Sequence, residues 1–496
     1  MSTKENFKFN LGNLEEQIFN LANDGEKLSS DDLEKISGGS LNNKFLAGSL
    51  ASLMMLTGTG LSSNVHAEKA PSQNYTVSVN QNNQTSEIKY FTREQVIEDI
   101  NYTLDTIKSF HMACRNGLPK EVEEQRDLEI ENLSESTSAI DEWRIISRIL
   151  AKFHDAHTKI LGPKILYSKL QLPFSVKSEG NRFYCEDGEF KGAEITEING
   201  MKISDIYENF KLNFSYEIEE WPHAIFFRTI SSGFSNIQSH LEKVGINTFK
   251  PIEFTFKTEN GIVKKSFELT EPKKYSPNEN VLYKIDKENN VGILTINSCC
   301  YDDNYRNTVD KFFADVESGK VKNIVVDLRQ NCGGDNRVMY YFLGYLDNIK
   351  GIKLGGFENS QGMHPGHYDE DVIKEIRMNK NMFNGKIFIL TSNFTSSSAV
   401  LFSEMFSDNK LATIVGEVPG NSPTHYSYVK GGFIAPNSKL EIKTSSARFY
   451  RPDETKDPER LTPDVQVPAE EALNKTYELI KSNWFNINEG KFDIYI

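Results

Sequence analysis

The sequence predicts a mixed α/β protein, chiefly because strand-like and helix-like segments alternate from residue 276 onward. Short apolar runs such as NVGILTINS, NIVVDLRQN, KIFILTSN and ATIVGEV have the length of buried strands. Between them, segments such as YRNTVDKFFADVESG and SSAVLFSEMFSD repeat apolar residues at the three-to-four spacing of a helix. This alternation predicts an α/β domain over residues 276–480, with a sheet that is at least partly parallel.

Two regions of different character precede this domain. In residues 91–162, REQVIEDINYTLDTIKSFH and STSAIDEWRIISRILAKFHD repeat apolar residues at helical spacing, which predicts an N-terminal helical region. Residues 163–275 contain short alternating runs, such as NRFYCED and PIEFTFKTENGIVKKSFEL, that are interrupted by Gly and Asn. That pattern predicts a strand-rich insert between the helical region and the α/β domain.

The first ninety residues carry processing signals. LSSDDLEKISGG ends residues 1–39 and resembles the double-glycine leaders of bacteriocins and peptide pheromones, which a peptidase-containing export transporter cuts. A helix with a glycine stop is the alternative. Residues 40–67 form an apolar, signal-like segment that ends in Val65-His66-Ala67, a small-x-small cleavage pattern. Residues 68–90 have the composition of a polar linker. Either signal predicts a secreted or cell-surface bacterial protein.

Composition excludes several other classes. The 496 residues carry a formal charge of −14, which argues against nucleic acid or an anionic membrane as the main partner. The five cysteines have no paired spacing, so they predict neither a disulfide framework nor a zinc site.

The segment FTSSSAVLFSE, residues 394–404, places three serines where a strand ends and a helix begins. A helix that starts near Ser397 presents free backbone N–H groups, which can hold an oxyanion. Serine and threonine are also ordinary helix caps, and taken alone the pattern favours that structural role.

Two further motifs bear on the same chemistry. IVVDLRQNCGGDN runs from a strand into Gly333 and Gly334, whose bare backbone can turn tightly and present an N–H group to a ligand. LAKFHDAHTKILG contains His154 and His157, but no third metal ligand lies nearby in sequence. Each of these motifs also has a purely structural interpretation.

In combination the motifs are more specific. The ordered segments FHDAHT, ITEING, VVDLRQNCGG, FTSSSAVLFSE, ATIVGEVPG and RLTPDVQV resemble the C-terminal processing peptidase family, including its tricorn-like branch. The resemblance spans roughly residues 91–470. It implies a crotonase-like (ClpP-like) α/β core with a PDZ-like domain, here the strand-rich insert. It also implies a serine endopeptidase that acts on peptides or unfolded proteins without a metal or organic cofactor, and it leaves the oligomeric state open.

The resemblance assigns the nucleophile to Ser397, with Ser398 and either Gly333 or Gly334 supplying the oxyanion N–H groups. The family's Ser-Lys dyad cannot form, because Asn421 or Ser422 stands at the place of the lysine.

The tricorn-like branch uses a histidine from the helical region, and this place is matched by His157, with His425 as the rival base. A carboxylate before the final Pro-Asp should orient the imidazole, and Asp457 and Glu459 are the two candidates. Two other functions stay open: an inactive peptide-binding homologue, and a leader-bearing protein of bacteriocin-type peptide export or maturation.

Overall fold

The structure is a computed structural model that describes residues 88–167, 170–230, 237–271, 279–347, 349, 351–364 and 382–488. The predicted leader, the signal-like segment and nearly all of the predicted linker lie outside these residues. Within the described part of the chain, no helix has both the length and the apolar composition needed to cross a membrane.

The region after the linker is helical. Its first helix begins with a capping box, in which the Thr92 side chain accepts the Gln95 N–H and the Gln95 side chain accepts the Thr92 N–H. The apolar face of its third helix, including Trp143, Ile146 and Leu150, is buried in a shared core. The elements are β1 (Tyr90–Thr92), α1 (Arg93–Phe110), a 3-10 turn (Met112–Cys114), α2 (Lys120–Glu131), β2 (Ser136–Ser138), α3 (Ala139–Ala151) and β3 (Lys159–Ile160).

The strand-rich segment contains an antiparallel sheet, but also three helices that the sequence analysis did not predict. The sheet order is β4-β5-β6-β8-β9, with β7 paired to β6. The second helix is buried almost all round, so it lacks the polar face that reveals helical spacing in a sequence. The elements are 3-10 turns (Lys164–Leu166, Gly188–Phe190), β4 (Val176–Glu179), β5 (Arg182–Cys185), β6 (Glu194–Ile198), β7 (Met201–Lys202), α4 (Ile203–Leu212), α5 (Glu220–Ile230), α6 (Ile237–Lys243), β8 (Ile252–Thr258) and β9 (Gly261–Phe267).

The remaining residues form a central sheet and two smaller ones, which confirms the predicted mixed α/β class. Within the described ranges, the further helices are α7 (Asp303–Ser318), α8 (Arg337–Leu343), α9 (Ser398–Asp408) and α10 (Ala472–Asn488). The strands are β10 (Val281–Asp286), β11 (Val291–Ile296), β12 (Asn323–Asp327), β13 (Phe357–Asn359), β14 (Gly362–His364), β15 (Lys386–Thr391), β16 (Thr413–Gly416), β17 (His425–Ser427), β18 (Lys430–Ile434), β19 (Glu441–Thr444), β20 (Ala447–Phe449) and β21 (Val465–Gln466).

The central sheet has the order β10-β11-β12-β15-β16-β21, and only its β10-β11 pair is antiparallel. Helices α7, α8 and α9 cover one face through a large apolar cluster that includes Phe312, Phe342 and Phe402. Helix α10 covers the other face, where Ala472 packs with Val325 and other strand residues. Burial on both faces explains the nearly unbroken apolar runs of β11, β12 and β15.

The two smaller sheets are antiparallel. One has the order β14-β13-β20-β17, and the other has the order β18-β19-β3. The second joins distant parts of the chain, because Ile160 of β3 pairs with Ile442 of β19. This pairing anchors the loop between α3 and β3 against the second half of the chain.

The chain segments that follow β12 and β15 meet at one edge of the central sheet, because parallel neighbours end on the same side. Three hydrogen bonds join the two segments: Ser392 Oγ to Arg329 O at 2.6 Å, Thr395 Oγ1 to Leu328 O at 2.9 Å, and Ser396 N–H to the backbone oxygen of Asn331 at 3.1 Å. The diglycine and the serine cluster are therefore held side by side.

Candidate active site

Of the three consecutive serines, Ser397 is the one whose hydroxyl makes no hydrogen bond to a backbone oxygen of the described residues. Ser396 Oγ donates to Cys332 O at 3.1 Å, and Ser398 Oγ donates to Gly334 O at 2.7 Å. Those two hydroxyls hold the serine turn to the diglycine loop. Ser397, immediately before α9, has φ +52° and ψ −126°, a conformation that non-glycine residues rarely adopt. A strained residue between a strand and a helix is typical of an exposed nucleophile.

An imidazole reaches this hydroxyl. His157 Nε2 lies 3.1 Å from Ser397 Oγ, within the range of a hydrogen bond. His157 lies in the loop between α3 and β3, and its side chain is 15% exposed. Two hydrogen bonds hold this loop in place. The His157 N–H donates to Asp155 Oδ1 at 2.9 Å, and the Ser445 N–H donates to Thr158 Oγ1 at 3.0 Å. The structure thus brings together the predicted nucleophile and the predicted base.

The carboxylate beside the imidazole is Asp155, which is fully buried. Its Oδ1 lies 3.5 Å from His157 Nδ1, close enough for attraction between charges but long for a hydrogen bond. Its Oδ2 accepts from Thr158 Oγ1 at 2.6 Å and from His111 Nε2 at 3.0 Å. Burial would raise the pKa of Asp155, but hydrogen bonds from His111 and His157 outweigh it and hold that pKa well below its usual range.

Asp457 and Glu459, the carboxylates predicted for this role, are not brought to the imidazole. Both are exposed, and Asp457 Oδ1 accepts the Glu459 N–H at 2.9 Å. Their loop is held elsewhere, because Arg451 donates to the backbone oxygen of Asp457 while its guanidinium pairs with Asp408 at 2.7 Å. Asp155, two residues before His157, is therefore the carboxylate that lies within ion-pair distance of the imidazole. Asp155 is part of the FHDAHT motif, but its spacing in the sequence does not indicate this position.

A second carboxylate, Glu217, enters from the insert segment between α4 and α5. Its Oε1 accepts the Ala156 N–H at 3.3 Å, and its Oε2 accepts Asn421 Nδ2 at 2.8 Å. Burial, and then the negative charge of Asp155, raise the pKa of Glu217 to about 7. No sequence pattern indicates a role for Glu217, since it stands in an acidic stretch, SYEIEEWP, that resembles a solvated surface.

Asn421 is one of the two residues, with Ser422, at the place where the resemblance leads one to expect a lysine. It is 1% exposed, and its Oδ1 accepts the N–H of Ser397 at 2.8 Å. Because its Nδ2 donates to Glu217, one amide side chain links the nucleophile's backbone to the insert segment. Asn421 therefore fixes the serine turn by hydrogen bonds.

His425, the rival base, is near but faces other partners. Its ring stacks on that of His157 with centroids 5.7 Å apart, and its Nδ1 donates to Ser422 O at 2.9 Å. Burial, and then the charge of His157, lower the pKa of His425 to about 4. No hydrogen bond joins it to Ser397 among the described residues. The geometry therefore favours His157 as the base.

The two glycines differ in what their N–H groups contact. Gly333 has φ +101° and packs so closely that a Cβ would lie 2.5 Å from Ser397 Cβ. Its N–H donates to Asn331 Oδ1 at 2.8 Å. The N–H groups of Gly334 and Ser398 have no acceptor among the residues that the structure describes. These two groups are thus available for an oxyanion.

Three side chains of this site also have donor atoms of the kind that bind metal ions. Donor atoms of Asp155, His157 and Glu217 lie within 4.8 Å of one another, and one imidazole with two carboxylates could take a divalent cation. However, both carboxylates already accept several hydrogen bonds, and His157 Nε2 points to Ser397. The arrangement fits an acid–base site better than a metal centre.

The comparisons with known proteins agree with this chemistry. The model of peptidase family S41 matches residues 290–467. The solved structure of mature CPAF aligns with a TM-score of 0.58 at 11% identity, covering 81% of this chain and 99% of that chain. Mature CPAF complexed with lactacystin aligns with a TM-score of 0.57 at 11% identity, covering 79% and 97%. At such identity the likeness shows a shared fold.

The region matched by the family model includes the diglycine loop and the serine turn that carries Ser397. The family match over residues 290–467 and the shared fold support assignment of this chain as a serine peptidase.

Proposed function

We propose that this protein is an exported serine endopeptidase in which Ser397 is the nucleophile and His157 the general base. The observation that carries the proposal is the 3.1 Å contact between His157 Nε2 and Ser397 Oγ, with both neighbouring serine hydroxyls engaged elsewhere. Acyl transfer requires a hydroxyl that is hydrogen-bonded to a base. Among the three serines, Ser397 has this contact, and Ser396 and Ser398 donate to backbone oxygens instead.

The steps follow from these positions. Ser397 Oγ attacks the peptide carbonyl as its proton passes to His157 Nε2, and the N–H groups of Ser398 and Gly334 stabilise the oxyanion. The imidazolium then protonates the leaving amine, which frees the first product. Water then attacks the acyl carbonyl as one of its protons passes to the same nitrogen. The imidazolium returns this proton to Ser397 Oγ as the bond between Oγ and the acyl carbon breaks, which releases the acid product and restores the enzyme.

Asp155 stabilises the positive charge that develops on His157 during these steps. It is ionised when the imidazolium forms, because its partners hold its pKa low. His111 and Thr158 fix the carboxylate in place, so the loop does not have to reorganise during the reaction. Asn421 and Glu217 act as positioning residues that hold the serine turn and the His157 loop together.

The finer architecture is part of the same proposal. We assign the central sheet and its helices to a crotonase-like catalytic domain, residues 276–480, and the antiparallel sheet of residues 163–275 to a PDZ-like insert. The support is the family match together with the parallel central sheet and the separate antiparallel sheet. Peptides or unfolded proteins are the proposed substrates. A peptidase-containing transporter is the proposed export partner, on the strength of the leader-like sequence.

The competing function is an inactive homologue that binds peptides. It is favoured by one observation, the presence of Asn421 or Ser422 where the family resemblance places a lysine. The two proposals differ in whether peptide bonds are cut, and a direct assay separates them.

The test is cleavage of a reduced, carboxymethylated protein by the full chain, followed by gel and mass spectrometry. We expect cleavage by the wild type and none above background by Ser397→Ala. Binding of the same substrate without cleavage by either protein would replace the enzyme with the inactive homologue. Cleavage that survives in Ser397→Ala would reject Ser397 as the nucleophile.

A further inference from the structure

A cavity of about 510 Å³ opens beside the His157 loop, and none of the catalytic groups lines it. It lies between the helical region, strand β3 and the insert segment, with Trp143, Phe214 and Tyr167 among its lining residues. Trp143 is 3% exposed, and its Nε1 donates to Ile160 O at 3.0 Å, so that wall is fixed. The volume is sufficient for a large side chain or the end of a peptide.

Basic side chains line this cavity, and acidic ones do not. Lys159, Lys243 and His240 line it, and its lining includes no aspartate or glutamate. Among the residues that the structure describes, neither lysine ammonium has a carboxylate within ion-pair distance. The whole chain has a formal charge of −14, so a cavity lined by basic and not by acidic side chains is contrary to its general composition.

Lys243 is held over aromatic rings instead of a carboxylate. Its Nζ lies 5.0 Å from the centroid of Trp143 and 5.7 Å from that of Phe214. Burial, and then repulsion by Lys159, lower the pKa of Lys243 to about 7. A bound anion would stabilise the charged form of Lys243, because its negative charge compensates for the lost hydration and for the repulsion by Lys159.

The cavity adjoins the proposed catalytic groups through two residues. Ala156, which precedes His157 in the chain, lines the cavity. Ser215 also lines it, and its Oγ accepts the N–H of Asp155 at 3.0 Å. The cavity therefore adjoins the loop that carries Asp155 and His157.

We propose that this cavity is a substrate subsite for a carboxylate, which Lys159 and Lys243 bind between aromatic walls. The carboxylate belongs either to an Asp or Glu side chain or to the C-terminus of the substrate. This subsite rests on the proposed peptidase function and specifies its substrate class.

The experiment compares matched quenched-fluorescent peptides with Glu, Gln or Lys at each position, and with a free or amidated C-terminus. Wild-type full chain should cleave one Glu peptide, or the free-acid peptide, at least about tenfold faster in kcat/KM than its neutral partner. Lys243→Met should remove that preference, and Lys243→Glu should invert it toward the Lys peptide. Lys311→Met, an exposed lysine on α7, should keep the wild-type preference.

The two sources of the carboxylate give different results. A preference for Glu over Gln at one position assigns the subsite to a side chain, and a preference for acid over amide assigns it to the C-terminus. Equal rates across all pairs, or a preference that survives both Lys243 variants, would overturn the proposal.

Binding separates this proposal from the catalytic one. Fluorescence anisotropy of the same peptides with Ser397→Ala requires no chemistry, and the Glu or free-acid peptide should bind about tenfold more tightly than its neutral partner. If the wild type cuts nothing but this difference is present and is lost on adding Lys243→Met, the catalytic proposal fails while the subsite stands. If cleavage occurs but neither assay distinguishes the peptides, only the subsite fails.

Discussion

His157 Nε2 lies 3.1 Å from Ser397 Oγ, although 240 positions separate the two residues in the sequence. The contact depends on three parts of the chain: the loop between α3 and β3, the turn before α9, and the insert segment that supplies Glu217. Changes in each part therefore have separate, measurable consequences.

Asp155→Asn should lower kcat by about a hundredfold to ten-thousandfold and leave the fold intact. Asparagine keeps the shape of the side chain but not the charge that stabilises the imidazolium. Steady-state kinetics measure the loss, and circular dichroism checks the fold. Asp457→Asn and Glu459→Gln are matched controls at the two exposed carboxylates and should stay near wild-type activity. A large loss of kcat in either control, with little loss in Asp155→Asn, would favour Asp457 or Glu459 as the carboxylate that orients the imidazole.

Asn421→Ala should weaken both stability and catalysis. It leaves the Ser397 N–H and a partly buried oxygen of Glu217 without their partner, which costs about 1–3 kcal/mol in the free energy of unfolding. The nucleophile loses its backbone anchor, so kcat should fall by about tenfold or more. Urea unfolding and steady-state kinetics measure the two effects. Ser422→Ala, at the adjacent buried position, is the control and should change neither. Unchanged values for Asn421→Ala would remove this residue from the positioning network.

Glu217→Gln should make stability less dependent on pH. The pKa of Glu217 is raised to about 7 from its ordinary value of 4.5. Between these values the folded protein holds a proton that the unfolded chain has lost, so stability contributed by the protonated form falls as pH rises through 7. Relative to Glu217→Gln, the wild type should lose at most about 3 kcal/mol between pH 4.5 and pH 8. Urea unfolding at several pH values measures the difference, and parallel curves would contradict the assignment.

The fold class and the proximity of Ser397 to His157 could be predicted because their signals lie in short segments of the sequence. Buried parallel strands leave continuous apolar runs, and the helices on either side of them keep a three-to-four spacing. Ser397 and His157 lie in motifs whose order along the chain carries the family resemblance, so comparison of that order sufficed to select them.

The supporting residues could not be predicted, because their roles exist only in three dimensions. Glu217 acquires its raised pKa from burial beside Asp155, which no spacing along the chain reveals. The choice of Asp155 over Asp457 and Glu459 depends on where Arg451 and Asp408 hold a loop. Helix α5 was missed because nearly every side is buried, and its sequence therefore has no polar face.

Export predicts a shortened mature chain. The diglycine at Gly38-Gly39 predicts a start at Ser40, and the Val-His-Ala pattern predicts a start at Glu68. N-terminal sequencing of protein recovered from the culture supernatant and the cell-wall fraction distinguishes these two sites. Protein found only in the cytoplasm with an intact start at Met1 or Ser2 would contradict export.

The most direct test of the account is the rate at which a fluorophosphonate probe labels the full chain. The wild type should be labelled on Ser397, as located by mass spectrometry of the adduct. His157→Ala should reduce the rate constant by about a thousandfold or more, because the hydroxyl loses its base. His154→Asn, a neighbouring exposed histidine with a positive φ that asparagine tolerates, should label at the wild-type rate. Equal labelling with and without the His157 imidazole, or an adduct on another serine, would contradict the account.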